Sequence, residues 1–258
     1  MDIKGKNVIL TGASSGIGYD LLNQLLELDC KVIAVSRRIS KSEIEHENLY
    51  KFDCDMSNAQ NIDKVFDYAL KTVDKIDIYI ANAGFAYYER LGKPDWEHIE
   101  KIFKTNVFSA FYAAQKMKEI YQDSPYNIVI TASGMSFISL PGYSLYSSTK
   151  AALRGFADAY RYELSKGQHL QIVYPIATKT NFFEAAGDIP MAWPSQDSAL
   201  VAKKIIKGIQ KDKKNIHPSY LFSTFKYFAG IMPPFVGVYN ATSHRAFREW
   251  EMKNREDK

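Results

Sequence analysis

Cysteine is scarce in this sequence, since only Cys30 and Cys54 occur among 258 residues. Two thiols cannot form a disulfide framework, and on their own they cannot make a structural zinc site. Two unpaired cysteines fit a reducing compartment. Residues 1–6 are largely polar and are followed by no apolar signal region. We therefore expect a cytoplasmic location.

Long apolar runs and long basic runs are also missing. The uncharged stretch at residues 227–239 contains Pro233 and Pro234 and is shorter than the ~20 residues of a membrane-spanning helix. We expect a buried or interface segment there, with contact to a membrane surface as the less favoured alternative. The net charge of +4 arises from 33 basic and 29 acidic residues. It gives no reason to expect a nucleic-acid partner.

What the sequence does contain is an alternation of short apolar runs and longer helical patterns, in a globular composition of 46% hydrophobic and 24% charged residues. The pattern predicts strands at 7–11, 31–36, 49–52, 77–81, 127–132 and 170–174, and helices at 16–28, 58–73, 96–121 and 145–166. Strands that alternate with helices indicate a parallel sheet covered on both faces. We predict one doubly wound α/β domain over residues 1–258.

Three glycines, Gly12, Gly16 and Gly18, lie between the first predicted strand and the first predicted helix. Glycine permits a tight turn and lets backbone approach a phosphate or a neighbouring strand. The N-terminus of the following helix offers free N–H groups and a positive dipole end. The Gly-x3-Gly-x-Gly spacing differs from the usual dinucleotide pattern. A glycine turn without a ligand is the alternative.

The second predicted strand ends at Ser36, which follows Gly18 by 18 residues and precedes Arg37 and Arg38. Dinucleotide-binding folds recognise the ribose 2′ position at this point, and a carboxylate there favours NAD. Here a serine and two guanidinium groups are present, and arginine binds phosphate with charge-assisted hydrogen bonds. The sequence favours NADP, with solvated surface arginines as the alternative.

Tyr146 and Lys150 are four residues apart in a predicted helix, so both lie on one face. A tyrosine titrates near ~10, and a nearby ammonium group is expected to lower that pKa. Ser133 follows the fifth predicted strand, at the edge where ligands bind in such sheets. The pair can support acid–base chemistry, although a Tyr-x3-Lys pair alone is more often a surface feature.

Together these motifs resemble the short-chain dehydrogenase/reductase family over roughly residues 6–180. The matching segments occur in the family's order and spacing: Thr11-Gly-Ala-Ser-Ser-Gly-Ile-Gly18, Asn82-Ala83-Gly84, Asn106, Ser133 and Tyr146-Ser-Ser-Thr-Lys150. The resemblance implies a Rossmann-type fold with about seven strands. It also implies an NADP(H)-dependent enzyme similar to carbonyl reductases.

The resemblance assigns a catalytic role to four residues. Tyr146 would be the general acid for ketone reduction and the base for alcohol oxidation, and Ser133 would hold the substrate oxygen. Lys150 would bind the nicotinamide ribose and lower the pKa of the tyrosine. Asn106 would anchor a water that relays protons to Lys150, in a locally distorted helix.

The resemblance also implies a set of cofactor contacts. They are Gly12, Ser14, Ser15, Gly16, Ile17, Gly18, Arg37, Arg38, Asp55, Met56, Asn82, Ala83, Gly84, Tyr146, Lys150, Pro175, Thr178 and Thr180. Two departures from the family are Ala81, where an asparagine often precedes Asn82, and Ile176, where a glycine often follows Pro175. The five histidines show no ligand spacing, so no metal is expected.

Substrate recognition is expected in the least constrained parts of the resemblance. Residues 181–199 would form a mobile lid whose apolar side chains are Phe182, Phe183, Met191 and Trp193, and residues 215–258 a substrate or interface segment. The end of the chain, 245–258, mixes both charges and is expected to be a solvated helix or a frayed tail. The substrate would be a small carbonyl compound or alcohol with an apolar part, such as an oxoacyl thioester, a steroid, a sphingoid ketone, an aldehyde or a sugar.

The family also pairs helices equivalent to 105–121 and 145–166 across subunits, so we expect a homodimer or homotetramer. Two alternatives to a carbonyl reductase or alcohol dehydrogenase remain. One is an epimerase or dehydratase that retains its cofactor, for which the chain is short and its glycine spacing unfavourable. The other is a non-enzymatic NADP-binding sensor or scaffold. Such proteins often lose catalytic residues, whereas this chain keeps all four.

Overall fold

A parallel sheet of seven strands forms the centre of the fold. The computed structural model describes residues 1–180, 194–224 and 233–255. Its strands are β1 (Asn7–Thr11), β2 (Lys31–Ser36), β3 (Leu49–Asp53), β4 (Ile78–Ala81), β5 (Tyr126–Thr131), β6 (Gln168–Val173), β7 (Ala177–Lys179), β8 (Ser195–Asp197) and β9 (Asn215–Ile216). The order is β3-β2-β1-β4-β5-β6-β9, and β7 pairs with β8 separately. This is the doubly wound Rossmann-type sheet that the sequence predicts.

Helices cover both faces of this sheet. They are α1 (Gly16–Leu26), α2 (Ala59–Val73), α3 (Trp96–Phe103), α4 (Ser109–Tyr121), α5 (Ser144–Tyr160), α6 (Ser198–Gln210) and a C-terminal helix, Pro233–Arg255. Asn58 begins α2 by accepting a hydrogen bond from the Asn61 amide, and Asp197 caps α6 in the same way. Within the described ranges, no helix combines the length and apolar character needed to cross a bilayer.

The core has two layers because successive strand residues face opposite sides of the sheet. Ile9 and Ile33 pack with side chains of α2, α4 and α5, whereas Val8, Leu10 and Val32 pack with side chains of α1 and α6. Strands buried on both faces need continuous apolar sequences. This requirement explains why the predicted strands read as unbroken apolar runs.

A π-helical turn at Lys104–Phe108 joins α3 to α4 without a gap in the helical path. The turn contains Asn106, and the Ser109 hydroxyl donates to the Thr105 carbonyl across it at 2.6 Å. Turns of this type often mark functional positions because the extra residue redirects one side chain. The predicted helix distortion at Asn106 is confirmed.

Several elements differ from their predicted bounds by one or two residues; the largest difference lies at the end of α5, and one strand of the main sheet has no predicted counterpart. The helix predicted to reach residue 166 ends at Tyr160, where a single 3₁₀ turn, Arg161–Glu163, follows. At this point the Arg161 side chain donates hydrogen bonds to the carbonyl oxygens of Leu170 and Lys214, which lie outside the helix. The seventh strand, β9, is only two residues long and therefore shows no periodicity in the sequence.

The C-terminal helix is packed more closely than a solvated tail. Phe247 is only 6% exposed, and its ring and that of Trp250 lie against Tyr88. Arg90 forms an ion pair with Glu251 beside these rings. The expected helix is present and Arg245, Arg248, Glu249, Met252 and Lys253 are exposed, but one of its faces is packed and not solvated. The lid side chains at 182, 183, 191 and 193, and residues 227–232 of the uncharged stretch, lie outside the described residues.

Candidate active site

A cleft of about 630 Å³ opens at the carboxyl ends of β1, β4, β5 and β6. Its lining includes Ser133 and seventeen others of the residues proposed above: Gly12, Ser14, Ser15, Gly16, Ile17, Arg37, Arg38, Asp55, Met56, Asn82, Ala83, Gly84, Tyr146, Lys150, Pro175, Thr178 and Thr180. Gly18 and Asn106 do not line it. The chain thus brings the residues of the sequence motifs to one edge of the sheet.

The glycine turn after β1 is shaped by close backbone contacts. Gly12 has a φ of +67°, and a Cβ there would lie 2.9 Å from the Ala83 backbone. A Cβ on Gly18 would lie 2.0 Å from the Gly12 carbonyl oxygen, so Gly18 serves packing of helix against turn and not ligand contact. Ser15 lies at the N-cap of α1, and its side chain makes no capping hydrogen bond. The first-turn N–H groups of α1 therefore face the cleft as donors for an anion.

Thr11 fixes the neighbouring turn, a role that the sequence motif did not reveal. Its hydroxyl oxygen accepts hydrogen bonds from the amides of Asn82 and Ala83, both at 3.0 Å, and its hydroxyl lies 3.3 Å from the Ile80 carbonyl oxygen, to which it donates. The Asn82 side chain donates to the Gly12 carbonyl oxygen. The turn after β1 and the turn after β4, which together form the floor of the cleft, are thus joined by the side chains of Thr11 and Asn82.

Asn106 is buried behind the residues that line the cleft and forms hydrogen bonds that position them. Its amide oxygen accepts from the Phe85 amide at 3.0 Å, and its amide nitrogen donates to the Phe85 carbonyl oxygen and to the Thr149 hydroxyl. These bonds tie the Asn82–Gly84 turn to α5. The side chain of Asn106 is therefore engaged in positioning, and its link through water to Lys150 stays a prediction.

Three side chains converge where β5 and α5 meet the cleft. The Tyr146 hydroxyl is hydrogen bonded to Ser133, whose Oγ accepts from the Met135 amide at 3.1 Å. The Lys150 ammonium donates to the Thr131 carbonyl oxygen at 2.8 Å and lies 5.5 Å from the Tyr146 ring centroid. Tyr146 and Lys150 are both buried. The site thus contains the phenol of Tyr146, its hydrogen-bond partner Ser133 and, one helical turn away, the buried amine of Lys150.

Burial dominates the protonation of this group. Loss of hydration raises the pKa of Tyr146 to about 12, against the lowering effect of its hydrogen bond with Ser133. The same loss of hydration lowers the pKa of Lys150 to about 7. With this pKa Lys150 is about half protonated at neutral pH, and the expected lowering of the Tyr146 pKa by Lys150 stays a prediction.

This burial predicts a pH-dependent difference in stability between the wild type and Lys150→Met. The pKa of Lys150 is about 7 when folded, against 10.5 for an unperturbed lysine, so the unfolded chain binds more protons between these values. The contribution of Lys150 to stability therefore rises with pH across this window. We therefore expect the free energy of unfolding of Lys150→Met, relative to that of the wild type, to be lower at pH 9 than at pH 7 by about 2 kcal/mol. Urea unfolding without cofactor measures this difference at each pH. Parallel pH dependences of the two proteins would contradict the assignment.

Arg37 and Arg38 extend from the end of β2 into the cleft margin, and both are exposed. Among the described residues neither forms an ion pair. The nearest carboxylate on β3 is Asp53, opposite Ser36 in register, and it is engaged by the amide and hydroxyl of Ser40. Those hydrogen bonds lower the pKa of Asp53. Two guanidinium groups are thus available to an anion at this end of the cleft.

The other end of the cleft is apolar, and the sequence pointed only to the part of it that lies within the predicted substrate segment 215–258. Its side chains are Phe85, Met135, Ile138, Leu140, Ile176, Leu221 and Phe222, with Lys101 and Thr105 as polar neighbours. They come from four separate stretches of chain and share no spacing. No periodic signal could have identified them from the sequence.

Comparison with known proteins shows the family to which this chain belongs. The family model for short chain dehydrogenases matches residues 6–188. The oxidoreductase YusZ of Bacillus subtilis, which is uncharacterized, is 30% identical over 220 residues, covering 80% of this chain and 78% of its own. The chain belongs to the short-chain dehydrogenase family and is an oxidoreductase.

Other relatives have more specific names. The hydroxysteroid 11-beta-dehydrogenase 1-like protein of Danio rerio is 28% identical, over 85% of this chain and 81% of its own length. The 3-ketodihydrosphingosine reductase of Dictyostelium discoideum is 27% identical, over 83% and 75%. A short-chain dehydrogenase structure from Burkholderia cenocepacia, in complex with NADP, has a TM-score of 0.80 at 19% identity, over 92% of this chain and 98% of that one. That structure shows the shared fold.

Proposed function

We propose that this protein interconverts a ketone or aldehyde and an alcohol by hydride transfer with NADP(H). The observation that carries the proposal is the buried Tyr146 phenol, hydrogen bonded to Ser133 and one helical turn from Lys150. It lies in the same cleft as a glycine turn and the N-terminus of α1. An acid–base group and an anion cradle in one cleft are what such a reaction needs.

The chain's own residues fit the cofactor. The backbone at Gly12 and Gly18 leaves no room for a Cβ, and the α1 amides that follow would bind the pyrophosphate. Asp55 and Met56 line the cleft near Arg37 and would border the adenosine. When bound, the nicotinamide supplies or accepts the hydride.

In reduction, Ser133 would hold the carbonyl oxygen, and Tyr146 would donate its proton to that oxygen as negative charge develops. The high pKa of Tyr146, about 12, keeps the phenol protonated and ready to donate at neutral pH. Lys150 would bind the nicotinamide ribose and, if it gains a proton there, would assist the tyrosine. In oxidation the same oxygen would accept the proton from the alcohol.

NADP is favoured over NAD by the pair Arg37 and Arg38 beside Ser36. Related structures carry either cofactor, since the Burkholderia cenocepacia protein is in complex with NADP and a Burkholderia phymatum family member with NAD. The choice therefore depends on this chain's residues. A guanidinium group recognises a 2′-phosphate, and no carboxylate occupies the position that favours a free 2′-hydroxyl.

The substrate is proposed to have an apolar body. The cleft wall beyond Ser133 is formed by Phe85, Ile138, Leu140 and Phe222, and two relatives bear the names of a hydroxysteroid dehydrogenase and a ketosphingosine reductase. A panel of ketones, aldehydes and alcohols with NADPH or NADP, monitored by nicotinamide absorbance, tests the proposal. Turnover of apolar ketones is expected. Cofactor binding without turnover of any member would favour the sensor or scaffold alternative.

We also propose a homodimer or homotetramer formed through α4 and α5. Phe111 and Phe156 stack at 4.0 Å between these helices, while Phe108 and Tyr162 stay 52% and 93% exposed at their ends. Light scattering at micromolar concentration is expected to give at least twice the chain mass. A monomer under these conditions would contradict the assembly. Residues 228–239 are a further candidate for the interface.

A further inference from the structure

The residue that follows the proposed substrate-binding serine has no side chain, and an aromatic ring lies against it. A Cβ on Gly134 would be 3.1 Å from Cζ and 3.2 Å from Cε2 of Phe222, and 3.5 Å from the Ile176 side chain. The Gly134 amide donates to the Pro175 carbonyl oxygen at 2.7 Å. Gly134 and Phe222 both line the cleft. The ring thus rests on the backbone directly beside Ser133.

Phe222 is held in this position from two sides. Its amide donates to the Ser219 hydroxyl at 3.2 Å, and the Ser223 amide donates to the Ser219 carbonyl oxygen. These hydrogen bonds cap the start of the helical segment 220–224, which carries the ring. The turn follows β9, so its position is set by the edge of the main sheet.

An aromatic cluster supports the ring from behind. Phe137 and His217 lie 6.2 and 6.4 Å from Phe222 between ring centroids, and Tyr174 stacks on His217 at 5.0 Å. The Arg154 guanidinium lies 4.6 Å from the centre of the Phe137 ring. Tyr174 belongs to the buried core. Because these rings pack behind Phe222, we expect its side chain to move little when a bulky ligand binds.

We propose that the contact between Gly134 and Phe222 sets the width of the substrate end of the cleft and so determines which ketones are accepted. The inference rests on the proposed function. A ketone carbonyl held by Ser133 would place one of its two substituents toward this contact. The Phe222 ring occupies the space beside Gly134 that a side chain would otherwise fill, so this ring limits the size of the apolar group that a substrate can place against it. The substrate class indicated is a ketone with one large apolar substituent.

The test compares reduction of butanone and acetophenone by NADPH in four proteins: wild type, Phe222→Ala, Gly134→Ala and the double variant. The readout is the ratio of kcat/KM for acetophenone to that for butanone, which does not depend on the fraction of folded enzyme. We expect Phe222→Ala to raise the ratio roughly tenfold or more, because contacts of one or two carbon groups in an apolar pocket discriminate by about 10–200-fold. Gly134→Ala is expected to lower it.

The double variant distinguishes a shared contact from two separate effects. If the methyl group at 134 acts by meeting the Phe222 ring, Gly134→Ala should change the ratio much less once that ring is removed. Tyr220→Ala is the matched control, since Tyr220 is an aromatic residue of the same helical turn, 77% exposed and absent from the cleft lining. It should leave the ratio unchanged.

An unchanged ratio in Phe222→Ala, or fully additive effects in the double variant, would overturn the inference while leaving the proposed function intact. A change in Tyr220→Ala as large as that in Phe222→Ala would also overturn it, because the effect would then belong to the turn and not to the contact. Failure of the wild type to reduce either ketone, with NADPH still bound, would instead reject the proposed function and this inference with it.

Discussion

Replacing Tyr146 with phenylalanine is expected to reduce turnover by at least about 10²–10⁴-fold, the usual contribution of general acid catalysis. The phenol oxygen is the group that the cleft offers next to Ser133, and the remaining ring fills the same buried space. Cofactor affinity should change little, since the substitution removes only the hydroxyl group and keeps the aromatic ring that lines the cleft. Steady-state reduction of an accepted ketone and fluorescence titration with NADPH measure the two quantities.

Tyr143→Phe provides the matched control for that variant. Tyr143 is equally buried, lies just before α5, and its ring centroid is 6.1 Å from that of Tyr146. It does not line the cleft, so its variant should keep most of the activity. If Tyr146→Phe retained more than about a tenth of wild-type turnover, Tyr146 would not be the proton donor, and the alternative functions would have to be reconsidered.

The second large effect concerns the arginines at the end of β2. We expect the wild type to bind NADPH more tightly than NADH, because a hydrogen bond to a charged group contributes about 1.5–3 kcal/mol, a factor of roughly 10–150. Removal of both guanidinium groups in Arg37→Ala/Arg38→Ala should abolish most of this difference by weakening NADPH binding alone. Titration of intrinsic fluorescence with each nucleotide gives both dissociation constants.

Arg245→Ala is the control for loss of positive charge. Arg245 is strongly exposed on the C-terminal helix and is paired with Glu249, so its removal should affect both nucleotides equally and slightly. Equal affinities of the wild type for NADPH and NADH would refute the preference. A weakening of NADH as large as that of NADPH in the double variant would show that the arginines bind the common part of the cofactor.

The sequence predicts the fold well because its strands are buried on both faces and its helices have one apolar face. Both patterns are local, and they identified six of the seven strands of the main sheet. The strand Asn215–Ile216 was not predicted because two residues are too few to show an apolar pattern. Its pairing with β6 is a long-range contact, which a local pattern does not reveal. The extent of α5 was overestimated since the apolar pattern continues beyond Tyr160, while the chain turns to satisfy Arg161.

The motifs of the site were predictable for a different reason: they occur at strand ends, and a parallel sheet brings those ends together. Their individual roles were less predictable. Gly18 and Asn106 act behind the cleft, and Thr11 joins two turns. The pKa of Lys150 depends on burial by residues that are distant in sequence. The apolar wall, with Phe222 against Gly134, results entirely from such contacts.

The pairing of β1 with β4 has a consequence for the order in which the chain can fold. Val8 lies opposite Ile78, so about seventy residues must follow β1 before its second neighbouring strand, β4, is present. Until then one edge of β1 lacks its hydrogen-bonding partner, and Thr11 has no Asn82 amide to accept from. Contacts between such distant residues form slowly. The hydrogen bonds that join the turn after β1 to the turn after β4 therefore cannot form before residues 82 and 83 are present, and we expect shorter fragments of the chain to lack this part of the cleft.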